Sequence, residues 1–151
     1  ALNQFKGVKR RMELIYSSAE LNVIEDFAHH PTAIASTLEG LRNKVGQEKI
    51  LAIIEPGSHT MRNGTHEDTL KAAVSNAEQV IWYRPATARW DMADKLAGPG
   101  VLITDSIEDI IEQALTVIQM PGTWHILIMS NSSFGGLYPK LLARLPDTVT
   151  P

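Results

Sequence analysis

One segment near the start of the chain, NVIEDFAHHPTAIASTLEGLR at positions 22–42, has the pattern of a β-strand that runs directly into an α-helix. Its first six residues predict the strand. Pro31 stands where a helix is expected to begin, because a proline loses no hydrogen bond there. An apolar helical stripe follows at intervals of four, three and four residues: Ile34, Leu38, Leu41 and Val45. Gly46 closes the stripe, so the segment predicts one β–α unit with polar residues at its junction.

Predicted strands and helices also alternate along the rest of the chain. Further strands are predicted at 11–17, 49–56, 79–84, 100–103 and 124–130, and the first two strands of the chain are close enough for an antiparallel hairpin. Helices are predicted at 67–76, at 86–97, from a capping-box pattern at Asp105 and Glu108, and from about 137 to about 145. The alternation predicts an α/β fold: a mostly parallel sheet of about six strands, one of them antiparallel, with helices on both faces.

Length and composition narrow the class of protein. With 151 residues, 44% hydrophobic and 21% charged, the chain is expected to form one globular domain with its own core. It has no cysteine, which excludes disulfides and thiolate metal sites. A net charge of −3 argues against a nucleic-acid partner, and the absence of a long apolar run argues against a membrane span or signal peptide. We expect residues 1–10 to be a connector, 11–146 the domain and 147–151 a tail.

Polar residues gather where the predicted strands end. Ligands of mostly parallel sheets bind at the carboxyl ends of the strands, so these loops are candidate sites. Asp26 and its neighbour Glu25 are expected on opposite faces of a strand. His29 and His30 lie at a helix start, which favours neutral imidazoles that bind a metal ion, hydrogen-bond a substrate or merely cap the helix. The residues alone leave three readings open: a metal site, a nucleotide and substrate site, or an ordinary loop.

Two more loops carry candidate residues. The segment EPGSHTMRNG at 55–64 contains Arg62, which suits a carboxylate or phosphate, although a solvated loop is as common. The segment NSSFGG at 131–136 has two glycines before a helix, which allow close approach of the backbone to an anion. No G-x-x-x-x-G-K-[ST] phosphate loop occurs in the chain. If the protein uses ATP, the triphosphate must therefore be held by other residues.

Several segments occur in order over nearly the whole chain: FKGVKRRME (5–13), EDFAHHPTAI (25–34), TLEGLR (37–42), ILAIIEPGSHTMRNG (50–64) and MSNSSFGG (129–136). Together they resemble the C-terminal domain of the Mur ligases, the ATP-dependent amide ligases of peptidoglycan assembly. Within that family, DFAHHPT resembles the branch that extends UDP-N-acetylmuramate, either with alanine or, in recycling, with a whole murein tripeptide. EPGSHTMR, which differs from the QPHRYTRT-like segment of the alanine ligase, favours the tripeptide branch.

The resemblance implies a cytoplasmic three-domain ligase. Its first domain would bind UDP-N-acetylmuramate, and its central domain would carry the phosphate loop and hold most of the ATP and Mg²⁺. The third, Rossmann-like domain would close over the site and receive L-Ala-γ-D-Glu-meso-diaminopimelate. An acyl phosphate of the lactyl carboxylate would be attacked by the peptide amine. This chain alone is then expected to be inactive, with its own N-terminal and central domains as partners.

The resemblance also implies roles for individual residues. Arg11 matches an arginine that turns toward the nucleotide phosphates, and Asp26 an acid near the ATP ribose. His29 and His30 match a pair that lines the cleft near the amino substrate, which completes the expected catalytic set. The expected substrate-binding residues are Ser58, His59, Thr60, Arg62, Asn131, Ser132 and Gly135. The loop departs from the alanine ligase pattern, because Ser58 replaces its first arginine and Arg62 is displaced by one position, so altered specificity is expected there.

Two other classes of protein remain as alternatives. One is a metal-binding module or metallohydrolase that uses Asp26, His29, His30 and either His59 or His66. The other is a flavodoxin-like interaction domain with no catalytic role. The resemblance implies no metal ligands on this domain, so tightly bound zinc would favour the first alternative.

Overall fold

The computed structural model describes residues 12–28, 30–55, 67–84, 96–130 and 134–146. Six strands are present in this part of the chain: β1 (Glu13–Ser17), β2 (Leu21–Asp26), β3 (Lys49–Ile54), β4 (Gln79–Tyr83), β5 (Val101–Thr104) and β6 (Trp124–Met129). They form one sheet in the order β1-β2-β6-β3-β4-β5. The β1–β2 pair is antiparallel and the other four pairs are parallel. The predicted fold class is therefore confirmed.

Helices cover both faces of the sheet. The first face carries α1 (Pro31–Val45) and α2 (Glu67–Ala73), whose apolar residues share a core with alternate strand residues such as Ile24, Ala52 and Leu127. The second face carries α3 (Ile107–Val117), a 3₁₀ turn (Phe134–Gly136) and α4 (Leu137–Ala143), which pack on the intervening residues such as Val23, Ile53 and Ile128. The two cores follow from the alternation of side chains along each buried strand.

The ends of α1 are as the sequence predicts. Pro31 occupies the first turn, and the extended residue His30 is the N-cap. Gly46 ends the helix with a φ of 66°, and its N–H donates to the carbonyl of Arg42. The buried residues of α1 lie on one stripe, so this helix is positioned by its apolar face.

One predicted helix start was wrong, and some predictions fall on residues that are not described. The N-cap of α3 is Ser106, whose side chain accepts a hydrogen bond from the N–H of Asp109, rather than Asp105 paired with Glu108. A serine one residue later caps the helix in the same way, through the N–H three residues further on, so spacing alone did not separate the two. The predicted helix at 86–97 lies mostly outside the described residues, as do the connector and the tail, and the domain boundaries stay a prediction.

No described helix has the length and apolar character that a membrane crossing requires.

Candidate functional site

The carboxyl end of β6 lies where the chain leaves the sheet toward both of its faces. Strand β6 lies between β2 and β3, and the three strands end level, because Asp26 and Ile54 both pair with Met129. The helices that follow β2 and β3 pack on the first face of the sheet, whereas the turn and helix that follow β6 pack on the second. In open α/β sheets, ligands bind where the chain leaves adjacent strands toward opposite faces. The topology therefore marks this edge as the candidate site.

Hydrogen bonds join the carboxyl ends of β2, β6 and β3. The N–H of Ser130 donates to the carbonyl of Asp26 at 3.1 Å, and the N–H of Glu55 donates to the carbonyl of Met129 at 3.0 Å. The hydroxyl of Ser130, which is fully buried, donates to Oε1 of Glu55 at 2.5 Å. A carboxylate is thus held across the end of β6 by a neighbouring strand.

The side chain of Asp26 is 4% exposed and faces the first helical layer. Its Oδ1 accepts a hydrogen bond from the N–H of Met12 at 2.8 Å. Its Oδ2 accepts one from the N–H of Ala28 at 2.9 Å and a longer one from Oγ1 of Thr37 on α1 at 3.3 Å. Burial of a carboxylate is costly without such donors, so these contacts hold Asp26 in one position.

Met12 has a φ of 51°, a left-handed conformation that is uncommon for a residue with a side chain. The bond to Asp26 offsets the strain of this conformation at the point where the chain enters β1. Met12 directly follows Arg11 in the sequence. The structure therefore gives Asp26 a positioning role at the domain entry, in addition to the nucleotide contact that the resemblance implies.

His30 lies beside Asp26 at the start of α1. Its Nδ1 accepts a hydrogen bond from the N–H of Thr32 at 3.3 Å, in the first turn of the helix. A shallow cleft of about 360 Å³ opens here, lined by Asp26, Phe27, Ala28, His30, Ala33, Ser36 and Thr37. The side chain of His30 thus caps α1, as one of the alternatives expects.

The turn after β6 is strained. Phe134, Gly135 and Gly136 have consecutive positive φ values of 54°, 59° and 81°. The Phe134 ring is fully buried and meets the ring of Tyr83 edge to face, with centroids 5.5 Å apart. A Cβ on Gly135 would lie 3.2 Å from Cγ1 of Ile107. Backbone conformation and packing both require a glycine here, while its predicted contact with a substrate stays a prediction.

Most of the predicted site residues fall outside the described part of the chain. These are Arg11, His29, Ser58, His59, Thr60, Arg62, Asn131 and Ser132. The N–H of Ser130 contacts the backbone carbonyl of Asp26, and its hydroxyl contacts Glu55. Glu55 begins the predicted segment 55–64, and Ser130 directly precedes the predicted segment 131–136. The roles of the eight residues stay predictions.

Three residues of this edge were missed from the sequence: Glu55, Ser130 and Phe27. Glu55 and Ser130 are the first polar residues after the buried strands β3 and β6, which is a signal that the sequence does contain. Phe27 follows Asp26 and is 51% exposed, a large exposed fraction for an aromatic ring beside a candidate site.

A second polar group lies at the opposite ends of the strands. Buried His125, at the start of β6, contacts Oε1 of Glu48 through Nε2 at 2.7 Å, and its Nδ1 lies 3.2 Å from Nδ2 of Asn22. These residues line a groove of about 450 Å³ between α1 and the β1–β2 hairpin. These residues lie at the amino end of β6, opposite the end next to Asp26, so they do not belong to the same site.

Within the described residues, no group of three histidine, aspartate or glutamate side chains lies close enough together to hold a metal ion.

Comparison with known proteins identifies the class. The model of the family described as Mur ligase, glutamate ligase domain, matches residues 10–131, which is most of the chain. The chain therefore belongs to this family, and the resemblance seen in the sequence is confirmed.

Individual relatives make the assignment narrower. The chain is 40% identical over 96% of its length to a UDP-N-acetylmuramate–L-alanyl-γ-D-glutamyl-meso-2,6-diaminoheptandioate ligase of Haemophilus influenzae. The crystal structure of a murein peptide ligase from Psychrobacter arcticus has a TM-score of 0.79 and 36% identity, and the match covers 95% of this chain and 31% of that one. A UDP-N-acetylmuramate–L-alanine ligase of Streptococcus mutans is 31% identical over 95% of this chain and 33% of its own length. The chain spans about a third of these curated relatives, 32% in the first case.

Proposed function

We propose that this chain is the C-terminal, substrate-closing domain of a cytoplasmic ATP-dependent ligase that joins L-Ala-γ-D-Glu-meso-diaminopimelate to UDP-N-acetylmuramate in peptidoglycan recycling. The observation that carries the proposal is the 40% identity, over 96% of the chain, to a relative whose name states these two substrates. The arrangement of β2, β6 and β3 supports it, because the chain leaves their carboxyl ends toward opposite faces, where this type of sheet binds ligands. An alanine ligase is the weaker reading, since that relative is 31% identical over a similar share of the chain.

The proposed reaction has two steps. The γ-phosphoryl group of ATP is transferred to the lactyl carboxylate of UDP-N-acetylmuramate, which forms an acyl phosphate and ADP. The amine of the tripeptide then attacks the acyl carbon, phosphate leaves, and an amide forms with release of a proton. Catalysis of such a reaction depends mainly on alignment of the reactants and on a closed cleft that excludes water. A domain that closes over the other two supplies both.

The residues of this chain would bind and orient. Arg11 is proposed to contact the nucleotide phosphates, and Asp26 is proposed to contact the ribose through the acceptor capacity that its three hydrogen bonds leave. The exposed ring of Phe27 offers a surface on which a flat base stacks. His29 and His30 are proposed to face the amino substrate.

The peptide and its carboxylates would be held by the two loops that follow Glu55 and Ser130. The proposed contacts are Ser58, His59, Thr60, Arg62, Asn131, Ser132 and Gly135. Magnesium, which neutralises the phosphates, is proposed to be held mainly by the central domain, since the described part of this chain has no cluster of ligands for it. The alternative of a histidine-based metal module is less favoured, because the family model that matches residues 10–131 is that of a ligase.

The test is a coupled assay of the full-length ligase that contains this chain. Amide product is measured by mass spectrometry with UDP-N-acetylmuramate, ATP and either the tripeptide or L-alanine, and turnover with the tripeptide is expected to be far faster. The isolated chain serves as the control and is expected to form no product. Preference for L-alanine would overturn the assigned substrate, and product formed by the isolated chain would overturn its assignment as an incomplete module.

A further inference from the structure

Four side chains form a continuous series of hydrogen bonds at the amino end of β6. The hydroxyl of Ser17 donates to Oδ1 of Asn22 at 2.7 Å. Nδ2 of Asn22 lies 3.2 Å from Nδ1 of His125, and Nε2 of His125 lies 2.7 Å from Oε1 of Glu48. His125 is buried, whereas Ser17 and Glu48 at the two ends of the series are exposed. These contacts join the β1–β2 hairpin, β6 and the segment before β3.

The two polar atoms of the Asn22 amide fix the direction of every bond in the series. An amide nitrogen only donates, so Nδ1 of His125 accepts, and the proton of the neutral ring lies on Nε2. Nε2 therefore donates to the carboxylate of Glu48. At the other end, Oδ1 of Asn22 only accepts, so Ser17 is the donor. All the donors thus point from Ser17 toward Glu48.

Protonation of His125 would reverse part of this direction. A proton on Nδ1 makes both ring nitrogens donors, and the Nδ2 group of Asn22 would then face another donor. Rotation of the Asn22 amide by half a turn removes the conflict, because Oδ1 then accepts from Nδ1 and Nδ2 faces Ser17. The hydroxyl of Ser17 accepts as readily as it donates. The backbone need not move, and each polar atom of the series keeps a partner.

The surroundings of His125 contain charges of both signs. Glu48, which contacts the ring, favours a charged imidazolium, whereas Lys44, which lines the same groove from α1, opposes it. Arg42, also on α1, is paired with Glu78 at 2.7 Å. The other groove residues and the pairing partner in β3 carry no charge: Met12, Leu14, Ile24, Leu41, Val45 and Ile50. A protonated ring would therefore have one carboxylate in direct contact.

We propose that Ser17, Asn22, His125 and Glu48 form a proton-operated switch, in which protonation of His125 reverses the side-chain amide of Asn22. In the neutral state, the hydroxyl hydrogen of Ser17 is committed to Asn22. In the charged state, Ser17 accepts from Asn22, and its hydrogen bonds to solvent instead. Proton uptake by a buried ring thereby changes the hydrogen bonding of an exposed residue on β1. The inference does not depend on the proposed ligase reaction.

Nuclear magnetic resonance of the isotope-labelled chain tests the two states directly. Cβ-to-ring correlations assign His125 among the five histidines. Near neutral pH, we expect an unprotonated Nδ1, a protonated Nε2 and nuclear Overhauser effects from the Nδ2 protons of Asn22 to the ring. On acidification, we expect both ring nitrogens to be protonated and the effects from the Nδ2 protons to move to the β protons of Ser17. Both changes should have the same midpoint, while the backbone amide signals remain those of the folded chain.

Asn22→Asp changes the group that faces Nδ1 of His125. A carboxylate accepts and does not donate, so it favours a protonated Nδ1, and the titration midpoint of His125 is expected to rise by about 1 pH unit or more. Asn43→Asp makes the same change on the exposed surface of α1 and is the matched control. It is expected to move the midpoint much less, because solvent and salt screen exposed charges.

Four results would overturn the inference. A proton on Nδ1 near neutral pH would reverse the assigned direction of the bonds. Protonation of His125 without movement of the Asn22 signals would leave a contact that does not switch. Unfolding before His125 takes up a proton would show that the fold does not accommodate the charged ring. These three results come from the unchanged chain and so do not depend on the folding of a variant. The fourth is an equal midpoint in Asn22→Asp and Asn43→Asp.

Discussion

Oδ1 of Asp26 accepts a hydrogen bond at 2.8 Å from the backbone N–H of Met12, a residue 14 positions earlier that is held in a left-handed conformation. The carboxylate at the end of β2 thereby fixes the chain at the point where it enters β1. The same carboxylate contacts Ala28 and Thr37, so one side chain connects the domain entry, the end of a strand and α1.

Asp26→Asn is expected to destabilise the chain. An amide keeps one acceptor but presents an N–H₂ group to backbone N–H donors, so at least one donor loses its partner in a buried place. The free energy of unfolding should fall by about 2–3 kcal/mol, which corresponds to a decrease of about 4–10 °C in Tm. Urea and thermal unfolding of the purified chain measure both quantities.

Asp105→Asn is the matched control for that experiment. Asp105 forms an ion pair with Arg84 at 3.3 Å, but its side chain is 64% exposed. Its loss should therefore change the free energy of unfolding by less than about 0.5 kcal/mol. Similar losses in the two variants would contradict a special structural role for Asp26.

Gly135→Ala and Gly40→Ala are expected to have opposite effects on stability. At Gly135 the φ is +59° and a Cβ would meet Ile107, so alanine should lower the free energy of unfolding by about 1–3 kcal/mol. At Gly40, inside α1, a Cβ would have no heavy atom within 4 Å, and alanine should raise that free energy by about 0.5–1 kcal/mol. Thermal unfolding of the two variants side by side checks the signs, and destabilisation by Gly40→Ala would argue against the open space at that position.

Arg42→Lys should weaken the junction between α1 and β4. The guanidinium group of Arg42 donates to the carbonyls of Gly46, Glu48 and Asn76 and to the carboxylate of Glu78, at 2.6 to 2.8 Å. A lysine ammonium cannot reach all four acceptors from one point, so a loss of about 1–2 kcal/mol in the free energy of unfolding is expected.

Arg144→Lys is the matched control for Arg42→Lys, because it makes the same change at an arginine with few contacts. Arg144 forms a single ion pair with Glu112 at 3.1 Å, and both side chains are largely exposed. Chemical denaturation should find a change below about 0.5 kcal/mol in this variant. If Arg42→Lys is equally mild, the four bonds contribute less to the junction than their geometry implies.

Phe27→Ala is expected to weaken ATP binding with only a small loss of stability. Because the ring is 51% exposed, its removal should cost less than about 1 kcal/mol of folding free energy. In the proposed full-length ligase, loss of a stacking surface should raise the KM for ATP about fivefold to twentyfold. Leu14→Ala, at a side chain that is 56% exposed on β1, is expected to leave that KM unchanged. An unchanged KM for ATP in Phe27→Ala would show that the ring does not contact the nucleotide.

The helix limits and buried strands that were predicted correctly depend on patterns among neighbouring residues. The helix α1 begins at Pro31 and ends before Gly46, as expected, because its limits depend on the conformations that these residues prefer and on an apolar stripe within fifteen neighbouring residues. The buried strands β3 and β6 were likewise recognisable from short apolar runs. The start of α3 was misplaced by one residue, because several neighbouring polar side chains are able to cap a helix.

Residue types at strand ends also indicated where a ligand would bind, and the family motifs indicated which class of ligase to expect. They did not indicate which of these residues also have a structural role. Asp26 and Gly135 were selected as ligand contacts, yet each has a structural reason to be present: three hydrogen bonds in one case and a close approach to Ile107 in the other.

The order of elements, their class and the α1 stripe follow from the amino-acid sequence, because they depend on neighbours a few residues apart. The contact between Ser130 and Glu55 does not, since the two are 75 residues apart and meet only because β6 inserts between β2 and β3. Strand order is set by which buried surfaces pair best across the whole sheet and by the faces that the helices cover, and no local pattern specifies it. That pairing brings Ser130 and Glu55 into one hydrogen bond at the end of β6.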